Sequence, residues 1–382
     1  MGERPRLGVV PEVTEPERSA SRIELMHPPL DRPSGGNVYD RALVDAARRA
    51  GAPLSGIAVD LGDVERRFRE RSPALRVWDG LLLERLAAHG ALERGNYAVL
   101  LHWLPSHDPS LDADERRRRE AIEDRIVRGA GFVVTNGAPS ACALRARHPG
   151  LPISICEPGV REAFLAVRRA HRPMRAHEAV ELLTVSNLVP AKSLVETLAV
   201  LASLAALPWR WHIVGDRDAD PDYARRFART VRGLGLADRV TLHGPLEADA
   251  VVERMDRADA FVFPSRFESY GMVLAEAAAR GLPVLATRVG IAPRLFRDGV
   301  DALLVPPDDP AALQSALRRM IADAALRMRF RDALRRLPRP RSFDDTLAAF
   351  LAAIESHRIR ARPANSTRGS TPARDITEPA AD

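Results

Sequence analysis

The stretch PSRFESYGMVLAEAAARGLPVLAT, residues Pro264–Thr287, carries the strongest indication of the fold of this chain. It begins at the end of an apolar run and continues through a polar loop that contains Glu268. A helical segment then begins at Gly271 and stops at Gly281, and a second apolar run follows directly. A strand, a loop, a helix and another strand in this order are typical of one unit of a parallel sheet. Such sheets bind ligands at the loops that follow their strands.

Similar units occur along most of the chain. Short apolar runs alternate with helical segments in two successive series, each of about 150 residues, the usual size of a domain. The pattern predicts two doubly wound parallel-sheet domains that face each other. The predicted strands are Arg22–Pro28, Ser55–Val59, Leu75–Gly80, Tyr97–Trp103, Gly131–Asn136 and Pro152–Gly159 in the first series, and Glu181–Ser186, Trp211–Asp216, Arg239–Gly244, Ala260–Ser265, Pro283–Thr287 and Ala302–Pro307 in the second.

The same pattern predicts where the domains begin and end. Loss of apolar periodicity marks a linker between the two series, and residues rich in Arg, Ser, Thr and Pro at the end predict disorder. The predicted helices include Val38–Ala50, Asp112–Arg128, Gly271–Arg280, Pro310–Ala322 and Ser342–His357. The predicted divisions are a disordered extension over 1–20, a first domain over 21–166, a linker over 167–178, a second domain over 179–340, a returning helix over 341–357 and a disordered tail over 358–382.

Composition excludes several classes of protein. A hydrophobic content of 46% supports sizeable cores, and a net charge of +6 allows weak contact with an anionic membrane surface. No basic stretch is interleaved with aromatic residues, so nucleic acid is not an expected partner. Cys142 and Cys156 form no CxxC pair, which favours a reducing cytoplasm over a zinc site or a disulfide framework. We expect neither a signal peptide nor a membrane span.

Lys192, in the segment SNLVPAKS, is the only lysine among 57 basic residues. It follows a predicted strand of the second series and precedes a helix. An ammonium group is a compact point charge that suits phosphate at a crowded site, whereas a guanidinium is a broad planar fork. The segment resembles the end of a P-loop, but Ser186 and Ala191 replace the required glycines. A surface lysine in an arginine-rich chain is the alternative.

Two glutamates flank the start of the helix in the opening stretch. Glu268 lies in the loop, where its carboxylate can accept hydrogen bonds from hydroxyl groups. Glu276 lies in the second turn, where it can reach a ribose diol. The main-chain N–H groups around Gly271–Val273 attract an anion at the helix start. The alternative is an ordinary helix with a polar cap.

Together these segments resemble the retaining GT-B glycosyltransferases of family 4, the glycosyl transferases group 1. Glu268 and Glu276 match the Glu-x7-Glu signature of that family, and Lys192 matches its diphosphate lysine. The segment Ser34–Asn37 matches its N-terminal glycine loop. The resemblance covers residues 22–357 and implies the GT-B architecture. In that architecture two Rossmann-like domains face each other across a cleft, and a C-terminal helix crosses back to the first domain.

The resemblance implies a site. The second domain would bind a nucleoside-diphosphate sugar, and the first would bind an acceptor. Lys192 would stabilise the leaving diphosphate, Glu268 would orient the sugar, and His102 would contact it from the first domain. From the residues alone, a structural role for His102 is favoured. The donor-binding residues implied by the resemblance are Gly35, Gly36, Asn187, Gly244, Leu246, Arg266, Ser269, Tyr270, Gly271, Met272, Val273 and Glu276.

Some residues depart from the family pattern or suggest rival readings. Asn187 stands where the family often has arginine, and Arg294 where many members have glutamate, which leaves the donor open. The segment Asp216–Asp222 contains the DxD spacing of metal-dependent glycosyltransferases, although a helix cap is favoured there. Asp79 and Trp103 are weaker candidates on the acceptor side.

The function predicted is a cytoplasmic retaining glycosyltransferase without metal or cofactor. It would use a nucleotide sugar as co-substrate and act on an unidentified small-molecule, glycan or lipid acceptor. A front-face attack assisted by the leaving phosphate is expected. A nucleotide-sugar epimerase, a phosphorylase and a non-catalytic binding protein are the alternatives. The oligomeric state stays open.

Overall fold

A computed structural model describes residues 22–31, 34–88, 97–109, 111–166 and 179–361. The predicted N-terminal extension, the predicted linker and the tail from residue 362 lie outside these residues. Residues 358–361, which were predicted to be disordered, instead end the last helix. No helix in the described ranges has the length and apolar character needed to cross a membrane.

The first domain is built on a parallel sheet of six strands in the order β2-β1-β3-β4-β5-β6. The sheet order reverses between β1 and β3, and their loops therefore diverge to opposite faces of the sheet. The strands β4 and β5 are buried along their whole length, as expected for the interior of a sheet covered by helices on both sides. The strands are β1 Ile23–His27, β2 Leu54–Ala58, β3 Leu75–Asp79, β4 Ala98–Leu101, β5 Phe132–Thr135 and β6 Ile153–Ile155.

The second domain contains another parallel sheet of six strands, in the order β12-β11-β10-β7-β8-β9. This is the Rossmann order, and it reverses between β7 and β10. All twelve strands predicted from the sequence are confirmed. The strands are β7 Val180–Val185, β8 Trp209–Val214, β9 Val240–Leu242, β10 Ala260–Phe263, β11 Val284–Thr287 and β12 Ala302–Val305.

Helices connect the strands. Those of the first domain are α1 Gly35–Ala50, α2 Val64–Arg69, α3 Gly80–Ala88, α4 Ala113–Gly129 and α5 Ala138–Arg147. The short α6 Glu162–Leu165 lies between the domains in sequence. The others are α7 Leu194–Ser203, α8 Pro221–Gly233, α9 Ala248–Arg257, α10 Met272–Ala279, α11 Ala292–Leu295, α12 Pro310–Ala322, α13 Ala324–Arg335 and α14 Phe343–Ala361.

Two further helices, α1 and α13, differ from the prediction. Helix α1 begins at Gly35 rather than at Val38, because the Ser34 side chain accepts a hydrogen bond from the Asn37 N–H and starts the helix earlier. Helix α13 was not predicted. Its N-cap Asp323 accepts a hydrogen bond from the Leu326 N–H, which marks a helix start that the sequence reading overlooked.

The last helix, α14, returns to the first domain. Phe343, Leu347, Phe350 and Ile354 recur every three or four residues and are buried in the same apolar cluster as Leu25 of β1. The chain thus crosses back over the domain boundary after completing the second sheet. Two facing Rossmann-like domains and a returning helix confirm the predicted GT-B architecture.

Candidate active site

A cavity of about 440 Å³ lies between the two domains. The loops after β1 and β4 line it from the first domain, and the loops after β7 and β10 line it from the second. Because β7 and β10 are the neighbours at which the second sheet reverses, their loops open the crevice where such sheets bind ligands. The fold therefore brings together segments that are far apart in sequence.

Lys192 and Glu268 meet at this reversal point. The Lys192 Nζ lies 2.7 Å from Glu268 Oε2. Lys192 ends a short 3₁₀ turn after β7, and Ser193 follows it with a left-handed φ of 50°, which is uncommon for serine. The Arg266 N–H donates to the Ala191 carbonyl at 2.8 Å and ties the two loops together. This backbone geometry holds the lysine ammonium within the cavity lining.

The start of α10 faces the same space. Gly271 precedes the helix with a φ of 92°, a conformation that glycine adopts without strain. No side chain caps this helix end. The first N–H groups of a helix have no partner within the helix, so those of Met272 and Val273 are suited to an anion. A positive side chain and a positive helix end thus lie beside one cavity.

His102 forms part of the first-domain wall and is held by two carboxylates. Its Nε2 lies 3.1 Å from Asp40 Oδ1 and 3.6 Å from Asp79 Oδ2. Burial lowers the pKa of His102, but the charge and hydrogen bond of Asp40, together with Asp79, outweigh burial and raise the pKa to about 10. Burial raises the pKa of Asp40 to about 6, although His102 opposes the rise. The pair is therefore an imidazolium beside a carboxylate at neutral pH.

The absence of a side chain at Gly36 leaves room for the His102 imidazole. A Cβ at Gly36 would lie 2.8 Å from Cδ2 of His102, closer than real Cβ contacts allow. The glycine loop after β1 therefore permits the start of α1 to approach the imidazole. Gly35, which has nothing within 4 Å of its own Cβ position, leaves open space instead. Both glycines line the cavity.

Asp40, Asp79 and His102 are also the group that could hold a metal ion among the described residues. Their candidate ligand atoms all lie within 4.8 Å of one another, and all three side chains are buried. A protonated His102 already supplies positive charge to the two carboxylates. The DxD segment has a different arrangement: Asp220 caps α8 by accepting from the Tyr223 N–H.

Glu276 is buried in α10 and pairs with an arginine from another part of the chain. Its Oε1 lies 2.6 Å from Arg161 Nε, and its Oε2 lies 3.0 Å from an Arg161 terminal nitrogen. Arg161 follows the first sheet directly, at the start of α6. Both residues line the cavity.

Several buried polar atoms in the cavity residues have no hydrogen-bond partner within the part of the chain that the structure describes. They are Asn136 Oδ1, Ser186 Oγ and His102 Nδ1. Native proteins seldom leave buried polar atoms unpaired, so such atoms need an explanation. All three residues line the cavity, and a polar ligand there would supply the missing partners.

Most of the predicted site residues meet at this cavity. Two lie outside its lining. The Arg266 guanidinium pairs with Asp308 at 2.6 Å, and the Gly244 carbonyl accepts from the Gly215 N–H at 3.0 Å. Those that line it are His102, Lys192, Glu268, Gly35, Gly36, Asn187, Leu246, Ser269, Tyr270, Gly271, Met272, Val273 and Glu276.

The two departures from the family pattern also have defined places. Asn187 lines the cavity, and its side-chain oxygen accepts from the Asp216 N–H at 3.0 Å, which braces the loops after β7 and β8. Arg294 pairs with Glu157 at 2.6 Å and is not part of the lining. Neither residue takes the position of a second cation beside Lys192.

The sequence-based prediction did not include Asp40, Asn136, Arg161 or Phe267, and it named Trp103 as a weaker candidate on the acceptor side. Trp103 and Phe267 come from opposite domains, and their ring centroids lie 6.2 Å apart. Asn136 could have been found, since it follows β5 directly, the position at which ligand-binding side chains occur. Asp40 and Arg161 carry no such signal, because their partners are distant in sequence.

The fold and the site define a protein of two facing Rossmann-like domains with a ligand-sized cavity between them. Residues 170–337 match the family described as glycosyl transferases group 1. This match covers less than half of the chain.

Curated proteins are similar to this chain over part of its length. The chain is 34% identical over 229 residues to a D-inositol 3-phosphate glycosyltransferase of Geodermatophilus obscurus, covering 55% of this chain and 50% of the relative. It thus spans about half the length of the first curated relatives it matches.

Two solved structures share the fold. Sucrose-phosphate synthase from Thermosynechococcus elongatus superposes with a TM-score of 0.69 at 20% identity, over 89% of this chain and 99% of that one. Anabaena HepE, solved with UDP and glucose, superposes with a TM-score of 0.65 at 18% identity, over 88% and 100%.

Proposed function

We propose that this chain is a retaining glycosyltransferase that moves a sugar from a nucleoside-diphosphate sugar to a hydroxyl acceptor. The observation that carries the proposal is the placement of Lys192 and Glu268 beside the start of α10, opposite His102. A cation and a helix N-terminus suit a diphosphate. A loop carboxylate and an imidazolium suit the hydroxyl groups of a sugar.

The second domain would hold the donor. The diphosphate would lie between Lys192 and the N–H groups of Met272 and Val273. Glu268 would then release part of its contact with Lys192 and accept hydrogen bonds from the sugar. Glu276 would accept hydrogen bonds from the ribose hydroxyl groups. UDP, which the Anabaena neighbour binds, is the first nucleotide to test, with GDP and ADP beside it.

The first domain would present the acceptor. During transfer, the bond between the anomeric carbon and the diphosphate oxygen breaks. An acceptor oxygen attacks the same face, and its proton passes to the leaving phosphate. Lys192 and the helix start stabilise the negative charge that develops on the diphosphate. Asp40 and Asp79 are buried against His102, and we assign neither of them as a nucleophile.

The proposal includes metal independence and a cytoplasmic location. Lys192 and the start of α10 supply the positive charge that a metal ion provides to the diphosphate in other transferases. Cys142 and Cys156 are both free thiols, which accords with a reducing compartment. Cofactors are not required, since the nucleotide sugar itself carries the activated group.

The direct test is turnover of nucleotide sugars. UDP-, GDP- and ADP-sugars are incubated with the protein and a panel of hydroxyl acceptors, and release of the nucleoside diphosphate is measured. The proposal expects acceptor-dependent release, with the anomeric configuration of the donor kept in the product by NMR. Release without an acceptor would favour an epimerase or hydrolase, and dependence on inorganic phosphate would favour a phosphorylase. Tight binding without turnover would favour a binding protein.

A further inference from the structure

We propose that Arg161 is a positioning residue that holds the Glu276 carboxylate in the orientation needed to bind the ribose of the donor. The inference rests on the proposed function and deepens its donor site. The guanidinium grips both carboxylate oxygens in a two-point contact of 2.6 and 3.0 Å. Such a contact fixes the plane of the carboxylate as well as its position.

The hydrogen-bonding capacity of Glu276 fits this role. An ionised carboxylate has about four lone-pair sites on its two oxygens. Arg161 occupies one site on each oxygen and leaves one on each. Two adjacent hydroxyl groups, as in the 2′,3′-diol of a ribose, would use the two that remain. A carboxylate free to rotate would present this pair of acceptors only part of the time.

Arg161 is itself held in place. The Val160 N–H donates to the Arg341 carbonyl at 2.7 Å, which fixes the backbone where the chain passes between the domains. The guanidinium carbon lies 4.6 Å from the ring centroid of Phe164, which is buried in the core of the second domain. A side chain anchored at both ends is suited to orienting another side chain.

The alternative is that Arg161 is a plug that the donor must displace. Burial argues against it. The Glu276 side chain is only 3% exposed and the Arg161 side chain 23%. Removing one partner from a buried ion pair leaves an uncompensated charge, and hydroxyl groups do not replace that charge. The two readings predict opposite effects on donor affinity when the arginine is removed.

The experiment measures discrimination for ribose. UDP, GDP and ADP are titrated calorimetrically to find the nucleotide that binds the wild-type protein most tightly, and its 2′,3′-dideoxy analogue is titrated beside it. In Arg161→Gln, affinity for the ribonucleotide should fall about tenfold, the effect of one charge-assisted contact. Affinity for the dideoxy analogue should change little. Arg161→Lys keeps the charge but loses the two-point contact of the guanidinium. Its affinity for the ribonucleotide should therefore lie between those of the wild type and Arg161→Gln.

Two further variants separate positioning from a structural effect. Arg49→Gln is a matched control, since Arg49 pairs with Asp344 at 3.0 Å beside the same crossing and does not line the site cavity. It should bind both nucleotides as the wild type does. In a Glu276→Gln background, Arg161→Gln should reduce the ribonucleotide preference no further, because Arg161 acts through that carboxylate.

The outcomes are distinct. A loss of ribose discrimination in Arg161→Gln, absent in Arg49→Gln, supports the inference. Unchanged discrimination overturns it, and tighter binding of the ribonucleotide overturns it in favour of a plug. An equal loss for both nucleotides assigns Arg161 a structural role and also overturns it. If none of the three nucleotides binds the wild-type protein, the proposed function fails together with the inference.

Discussion

The Nζ of Lys192 lies 2.7 Å from Oε2 of Glu268, although the two residues are 76 positions apart in the chain. The contact forms because each residue follows one of the two strands at which the second sheet reverses its order. It joins the only lysine of the chain to the loop within Pro264–Thr287 that precedes helix α10. The relationship places the cation proposed to bind phosphate beside the carboxylate proposed to bind the sugar.

Replacing Lys192 by arginine tests whether the shape of this cation matters. Lys192→Arg keeps the charge, but a broad guanidinium does not occupy the point between Glu268 and the diphosphate. We expect this variant to keep a melting temperature near that of the wild type and to lose most of its turnover. Lys192→Ala should lower kcat by a factor of about 10²–10³, as for one lost electrostatic donor. Full activity in Lys192→Arg would make this lysine an accident of composition.

Chelation tests the metal-independent mechanism. Transfer should survive EDTA, and Asp216→Asn should cost little activity, because the Asp216 side chain accepts from the Asp218 N–H within its own loop. Activity that disappears with EDTA and returns with Mn²⁺ would contradict this expectation. In that case Asp40→Asn and Asp216→Asn would show which of the two acidic groups holds the ion.

The buried pair of His102 and Asp40 makes stability depend on pH. The pKa of His102 is raised from 6.5 to about 10 in the folded state, so its contribution is complete below pH 6.5 and is lost as pH rises towards 10. The stability difference between the wild type and His102→Gln should therefore shrink across that window. Urea unfolding at pH 6.5, 8 and 9.5 measures it. A difference that grows with pH would show that His102 is neutral when folded.

The residues packed around this pair bear on the same experiment. Asp79 lies 3.6 Å from His102, and Tyr39, on the adjacent helix, contacts the imidazole edge-on. Burial raises the pKa of Tyr39 well above its ordinary value, so it stays neutral through the window. Asp40→Asn removes the principal carboxylate partner. In that variant the loss of stability should begin at lower pH.

The returning helix supplies a test of the fold. Phe350 is completely buried between α14 and the first domain. Phe350→Ala should lower the free energy of unfolding by about 3–5 kcal/mol, the usual cost of removing a buried aromatic ring. Glu355→Ala, at an exposed position of the same helix, is the matched control and should change it little. Similar effects in the two variants would mean that α14 is not part of that core.

Local sequence patterns were enough to predict the sheets and the main pair of the site. Lys192 and Glu268 could be found because each follows an apolar strand, and parallel strands bring such positions to one edge. Helix α1 starts earlier than predicted since the Ser34 cap outweighs the low helix propensity of Gly35 and Gly36. Arg161 could not be connected with Glu276, because their contact depends on how the chain passes between the domains.

Calorimetric titration of UDP, GDP and ADP into the wild-type protein and Lys192→Ala tests whether a donor diphosphate binds between Lys192 and the start of α10. We predict that at least one nucleotide binds the wild type, and that its affinity falls tenfold or more in Lys192→Ala, while Asp216→Asn binds as before. Failure of all three to bind, or equal affinity in the wild type and Lys192→Ala, would contradict the account.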